Sequence, residues 1–230
     1  MRRKPNLQQR RRELCDAAIR LLADDGIKGV SHLKVDRKAS VPEGTTSFYF
    51  RTRAALLHAV AERVAELDLK DLAAATAAPA SSATEDSGVS QTSGLANLVA
   101  RSATGVRLVR AKARNELALE AARDPVLAGA LRGYDEGFSG LIRQAVMRFW
   151  PEGTDPDGAV VDEQTYAVMM FISGVMSTRS SGEMRIRTAK QLDVLISGIV
   201  AGIGGIPDHA ITAEDAPIQN RRPRTRSARH

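Results

Sequence analysis

Cysteine is almost missing from this chain: among 230 residues, Cys15 is the only one. A single thiol closes no internal disulfide, and no N-terminal apolar run reads as a signal peptide, so the expected setting is a reducing cytoplasm. Long hydrophobic runs are missing as well. The longest nearly continuous one, Ala167 to Met176, falls far short of the roughly 20 residues that cross a bilayer, and no membrane partner is expected. Strand-like alternation is nearly absent, which leaves an all-α fold. Spacings that carry chemistry are lacking too. His32, His58, His209 and His230 stand at no metal-ligand spacing from one another or from Cys15, so no metal or other cofactor is expected. The "GFSGL" stretch at Gly137 is not a nucleophile elbow, and "GIVAGIGG" has neither a preceding strand nor a phosphate-binding lysine. Asp135 and Glu136 point to different helix faces. The sequence therefore reads as no enzyme.

What is present is a hydrophobic fraction of 43%, enough for a sizeable core, and a charge distribution split by position. Residues 1–60 hold 13 Lys+Arg against 6 Asp+Glu, whereas residues 61–230 hold 20 against 21, so all the excess positive charge is N-terminal. A polyanion partner for that end follows, nucleic acid ahead of a membrane surface, because no amphipathic helix pairs Lys/Arg with Trp/Phe there. A merely solvated face is the alternative that charge alone leaves open.

Helical signals follow in order. Asn6 and Gln9 form a capping-box pattern; Leu14, Ala18, Leu21 and Leu22 share a face, and Gly26 ends the helix. Ser31 caps a short helix to about Ala39, and Pro42 with Gly44 forces a turn. Residues 43–50 make a third short helix. Thr52 caps a fourth, with Leu56, Val60, Val64 and Leu67 on one face. Residues 76–94 are small and polar and read as a loop. Longer helices are expected over Leu95–Arg123 with an internal break, Pro125–Phe149, Asp162–Ser181 and Thr188–Ile203, before a basic tail from Pro207. The domains expected are 1–51, 52–206 and a disordered 207–230.

Short helix, turn, short helix is the helix-turn-helix arrangement, whose second helix enters the major groove. "SVPEGTTSFYF", residues 40–50, carries it. Phe48 and Phe50 are expected to anchor the helix while Tyr49 faces DNA, with Thr45, Thr46 and Ser47 as short hydroxyls at its start. The arm "MRRKPNLQQRRR" is expected to enter a minor groove or to raise non-specific affinity.

From about residue 10 to 60, "RRELCDAAIRLLADDGIKGVSHLKVDRKASVPEGTTSFYFRTRAALLHAV" resembles the N-terminal domain of the TetR family of transcriptional regulators, most strongly between Ala39 and Leu57. The resemblance implies that Thr45, Tyr49, Thr52 and Arg53 hold DNA phosphates and that Thr46 and Ser47 approach bases; Lys34 joins them as a DNA-binding candidate. Two residues depart from the family pattern. Asp36 stands where Ala is common and is expected to face away from phosphate, toward Lys34 or Arg37; Ser47 stands where Tyr is common. The resemblance further implies a larger helical domain that dimerises and holds a small-molecule effector, giving a cytoplasmic homodimer on a palindromic double-stranded operator, a repressor released by its ligand. The other class open is an all-helical carrier or enzyme with an incidental basic end.

Site expectations for the second half rest on composition. "TYAVMMFISGVM" and "LDVLISGIVAGI" are apolar nearly all round, and a second subunit is expected to cover the side a monomer leaves bare. Val194, Leu195, Gly198, Ile199 and Gly202 are the dimerisation candidates, the glycines allowing close helix approach. Gly129, Gly133 and Gly137, followed by Gly140, make a groove for a neighbouring helix or a ligand. The expected pocket has Tyr134, Phe138, Met147, Tyr166, Met169 and Met170 as walls, with Asn115, Glu116 or Glu120 as polar contacts. Ordinary core packing is the competing reading for each of them.

Overall fold

The computed structural model describes residues 6–77, 93–151, 153–180, 186 and 188–204; for 133–135, 180 and 204 it describes the backbone alone. The Arg2–Lys4 part of the arm, residues 78–92 of the expected loop, and the basic tail lie outside these residues. Every regular element described is helical, as expected.

The first four helices are α1 (Leu7–Asp25), α2 (His32–Lys38), α3 (Thr45–Tyr49) and α4 (Arg53–Ala77), with a single three-ten turn at Ile27–Gly29. The local signals act as their chemistry dictates. Asn6 accepts from the Gln9 amide at 2.7 Å, although the Gln9 side chain turns to Glu13 and leaves the capping box half made. Gly26 ends α1 at φ 68°, where a side chain would be strained, and Ser31 caps α2 through the Lys34 N–H. Gly44 opens α3 at φ 89°. α4 runs on to Ala77, so residues 76 and 77 of the expected loop are helical.

The rest of the chain forms α5 (Gly94–Arg101), α6 (Gly105–Ala121), α7 (Pro125–Met147), α8 (Gly158–Ser180) and α9 (Ala189–Gly204). The expected break inside residues 95–123 falls between α5 and α6, where Gly105 adopts φ 57°. Asp124 accepts from the Val126 and Leu127 amides, and Pro125, lacking an N–H, takes the first helical position.

Two apolar cores result. One joins α1, α2 and Phe50 to the first half of α4 and takes Ala113 and Leu117 from α6 and Leu127 from α7. The other gathers Leu72 of α4 with α5, the end of α7, α8 and α9. α4 thus belongs to both, and the packing changes hands along it between Val64 and Leu72. The glycine stripe of α7 receives a helix at one point: a Cβ on Gly137 would meet Leu69 of α4 at 3.3 Å, whereas at Gly140 it meets nothing. Gln164 of α8, fully buried, donates to the Val200 carbonyl of α9 at 2.8 Å and accepts from the Trp150 indole at 3.1 Å, satisfying its amide inside the second core.

Candidate nucleic-acid interface and ligand cavity

The turn between α2 and α3 is built around Asp36. That residue was expected to turn from phosphate toward Lys34 or Arg37; instead its side chain is buried, and its carboxylate accepts from the Gly44 amide at 2.8 Å, the Thr46 amide at 2.7 Å and the Thr46 hydroxyl. An acid at this place meets the unpaired N–H groups at the start of α3, so it clamps the two helices by charge-assisted bonds. The corollary concerns Thr46, expected near bases: it is fully buried on Asp36 and presents nothing to a groove.

The three rings sort differently from expectation as well. Phe50 is buried in the first core, as expected, but Phe48 does not anchor the helix: it is 76% exposed, its ring edge-on to Tyr49 at 5.2 Å between centroids. Five residues make less than two turns, so only one flank of α3 reaches the core, and Phe48 lies on the other. Tyr49 is half-buried against that core. Ser47 is exposed; Thr45 is half-buried with its hydroxyl donating to the Pro42 carbonyl at 2.6 Å.

Arg10, Arg11 and Arg12 of the arm belong to α1, which starts after the Asn6 cap. Arg10 pairs with Glu13 at 2.7 Å and Arg12 with Glu66 at 3.4 Å. Arg11 donates to the Tyr49 carbonyl at 3.1 Å and lies 4.5 Å over the Phe50 ring, a cation at the carbonyl end of α3. Lys34 keeps a half-exposed side chain 3.9 Å from Asp25. Thr52 is exposed and caps α4 by accepting from the Ala55 amide at 3.1 Å. Arg53 sits on protein rather than free for a phosphate: its Nε donates to Val30 O at 3.1 Å and its Nη2 to Ile27 O.

In the second half, a cavity of about 430 Å³ lies among α4, α5, α6, α7 and α8. Most of its wall is apolar, with Leu72, Leu98, Ile142, Ile172 and Met176 among the side chains that form it. One side is a charge network that composition did not reveal. Asp68 and Asp71, one turn apart on α4, face Arg107, Arg110 and Arg114 on α6. Arg107 grips Asp71 through two nitrogens at 3.0 and 3.3 Å. Arg110, buried, bonds Asp71 and approaches Asp68 to 3.1 Å, and Arg114 holds Asp68 through Nε at 3.0 Å. Burial works to raise the Asp71 pKa, but the hydrogen bonds from Arg110 and Arg107 outweigh it and hold the carboxyl below its usual range.

Of the expected pocket residues, Asn115, Phe138 and Met169 line the cavity. The others do not. Glu116 accepts from the Ile27 amide at 2.8 Å and Glu120 lies 4.0 Å from Arg53, so both tie α6 to the helix-turn-helix end instead. Met147 packs into the second core. Tyr166 and Met170, one turn apart on α8, stand 65% and 48% exposed, opposite the Val161, Val168 and Ile172 face that is buried. The side chain of Tyr134 lies outside the described residues.

Tyr166 and Met170 instead share an outward apolar surface type with α9, where Val194 and Leu195 are exposed and added Cβ atoms at Gly198 and Gly202 would meet nothing. Ile199 departs from this set: it is half-buried against the second core.

No family model and no curated protein matches the chain. Solved structures do. A member of the TetR family from Streptomyces coelicolor A3 superposes with a TM-score of 0.61 at 24% identity, covering 83% of this chain and 98% of its own. A putative TetR-family transcriptional regulator from a Rhodococcus species gives 0.60 at 16% identity, covering 86% and 99%. The multidrug binding protein EbrR complexed with ethidium gives 0.58 at 24% identity, covering 84% and 99%. With its helix-turn-helix end, its shared α4 and its helical second half, this chain has the fold of TetR-family transcriptional regulators.

Proposed function

We propose that the chain is a homodimeric, sequence-specific DNA-binding regulator of the TetR family, a repressor released by a small-molecule effector. The observation that carries this reading is the double membership of α4. Its first half packs into the core that supports α3, and its second half supplies Asp68, Asp71 and Leu72 to the cavity wall. A ligand that favours one α4–α6 arrangement therefore biases the placement of the recognition helix. α6 strengthens the link, since its arginines face the cavity while Glu116 and Glu120 hold Ile27 and Arg53.

On DNA, α3 presents Ser47 and Phe48 to base edges, the latter suited to a thymine methyl, while Thr45, Tyr49, Thr52 and Lys34 border the backbone. Two copies pack through α8 and α9, covering Tyr166, Met170, Val194 and Leu195, with Gly198 and Gly202 allowing close approach. Two recognition helices then read half-sites about 34–36 Å apart. Selection of the full chain on random duplexes at physiological salt tests the reading. An enriched palindrome supports it. A folded sample with no enrichment refutes it and moves the carrier or enzyme reading to the front.

A further inference from the structure

Charge balance in the cavity specifies what class of molecule suits it. Its described wall holds three guanidinium groups and two carboxylates, an excess of one positive charge in a wall that is otherwise mostly apolar. The imbalance in hydrogen-bonding capacity is larger. Each arginine carries five N–H donors, and a carboxylate offers about four acceptor positions, so the two aspartates cannot serve the row. Both carboxylates are already engaged: Asp71 by Arg107 and Arg110, Asp68 by Arg110 and Arg114. Two donors stay poorly served. The buried Arg110 Nε lies 3.1 Å from Asp68 but not in line to hydrogen-bond with it, and Arg114 Nη1 meets only the Met176 sulfur, a weak acceptor, at 3.9 Å. Around the buried Arg110, unmatched positive charge and an unmade donor bond are costly, and an anion removes both costs together. A cation meets the opposite situation, because each acidic group it needs is held by arginine.

We propose that the cavity takes a small organic monoanion: an acid group on the Arg107, Arg110 and Arg114 row, and an apolar or aromatic body against Phe138, Ile142 and Met169. The inference rests on reading the cavity as an effector site and adds the ligand's chemical class.

Three fluorescent probes of related size test it on the full chain: anilinonaphthalene sulfonate, an apolar monoanion; phenylnaphthylamine, with the same rings and no charge; and ethidium, a cation. The sulfonate is expected to bind once per chain and about tenfold or more tighter than the amine, the effect of one charge-assisted hydrogen bond. Arg114→Gln, at a partly exposed side chain, is expected to erase that preference while leaving amine binding unchanged; Arg107→Gln, more exposed still, serves the same purpose should the first variant not fold. Ser173→Trp, which fills the wall from an exposed position on α8, is expected to abolish binding of the sulfonate. Amine or ethidium binding as tightly as the sulfonate, or a preference that survives both arginine variants, overturns the charge assignment and leaves the effector cavity standing. Sulfonate binding unaffected by Ser173→Trp places the probe on the outer apolar face and also overturns it. If none of the probes binds, the effector reading falls and this inference falls with it.

Discussion

Replacing Asp36 with Ala tests whether the helix-turn-helix is held by one buried carboxylate. The wild-type side chain is 1% exposed and accepts from three donors, two of them on the fully buried Thr46. After substitution the Gly44 amide, at the surface, turns to water. The Thr46 amide and hydroxyl cannot, and each orphaned buried donor costs about 1–3 kcal/mol. Rotation of the hydroxyl toward another acceptor, and relief from burying the Asp36 charge, return part of this, so the expected net loss is about 2–4 kcal/mol. In a chain of 230 residues that is a fall in Tm of about 4–16 °C. Thermal and urea unfolding of the full chain give the first readout. A double-mutant cycle with Thr46→Val gives the decisive one, because with Asp36 gone the hydroxyl has lost its partner and its removal should cost less than in the wild type, leaving a coupling of about 1–2 kcal/mol. A loss below about 0.5 kcal/mol for Asp36→Ala, or additivity within that margin, refutes the clamp.

Phe48→Ala should leave stability within about 0.5 kcal/mol of wild type, since the ring is exposed, yet weaken operator binding about tenfold and relax one position of a selected site; unchanged binding by fluorescence anisotropy removes Phe48 from the contact surface. Val194→Glu should convert the proposed dimer to a monomer of unchanged helicity, because two symmetric charges replace apolar burial worth up to about 1.5–3 kcal/mol each, about a hundredfold or more in affinity; a dimer persisting in sedimentation at micromolar concentration places the interface elsewhere. Burial pushes the Cys15 thiol up to about 12, so at pH 8 only about one molecule in ten thousand carries the thiolate. Maleimide should react with it at the rate of unfolding, and labelling of the native protein at the rate of a free cysteine contradicts its placement.

Much of the fold was legible because its signals are local. Asn6, Ser31, Thr52 and Pro125 start helices by satisfying or lacking N–H groups within the next turn, and Gly26 and Gly44 stand where the backbone turns to positive φ. The period of Leu14, Ala18, Leu21 and Leu22 fixed the buried face of α1, and the segment from Pro42 through Phe50 marked the turn and the short helix α3. The apolar outer faces of α8 and α9 were likewise visible as an excess of hydrophobic residues over what one subunit covers.

Local pattern stops at the identity of the neighbour. An aspartate two helical turns before a glycine reads as a surface acid; only packing of α2 against α3 turns it inward, because it brings the carboxylate to unpaired amides and the bonds outweigh desolvation. The same limit hid the cavity wall. Asp68 and Asp71, and Arg107, Arg110 and Arg114, each have helical spacing and separately read as solvated faces, and nothing in the sequence says that α4 and α6 meet along them. Conversely, Tyr166 and Met170 have pocket chemistry but lie on the side of α8 turned away from the cavity, which its rotation about its own axis decides. The sequence by itself determined where helices begin and end and which stripe of each is apolar, since those depend on bonds within a turn; the tertiary structure alone decided which polar groups are buried against each other, since that depends on contacts between different helices, from 8 positions apart at Asp36 and Gly44 to 46 at Asp68 and Arg114.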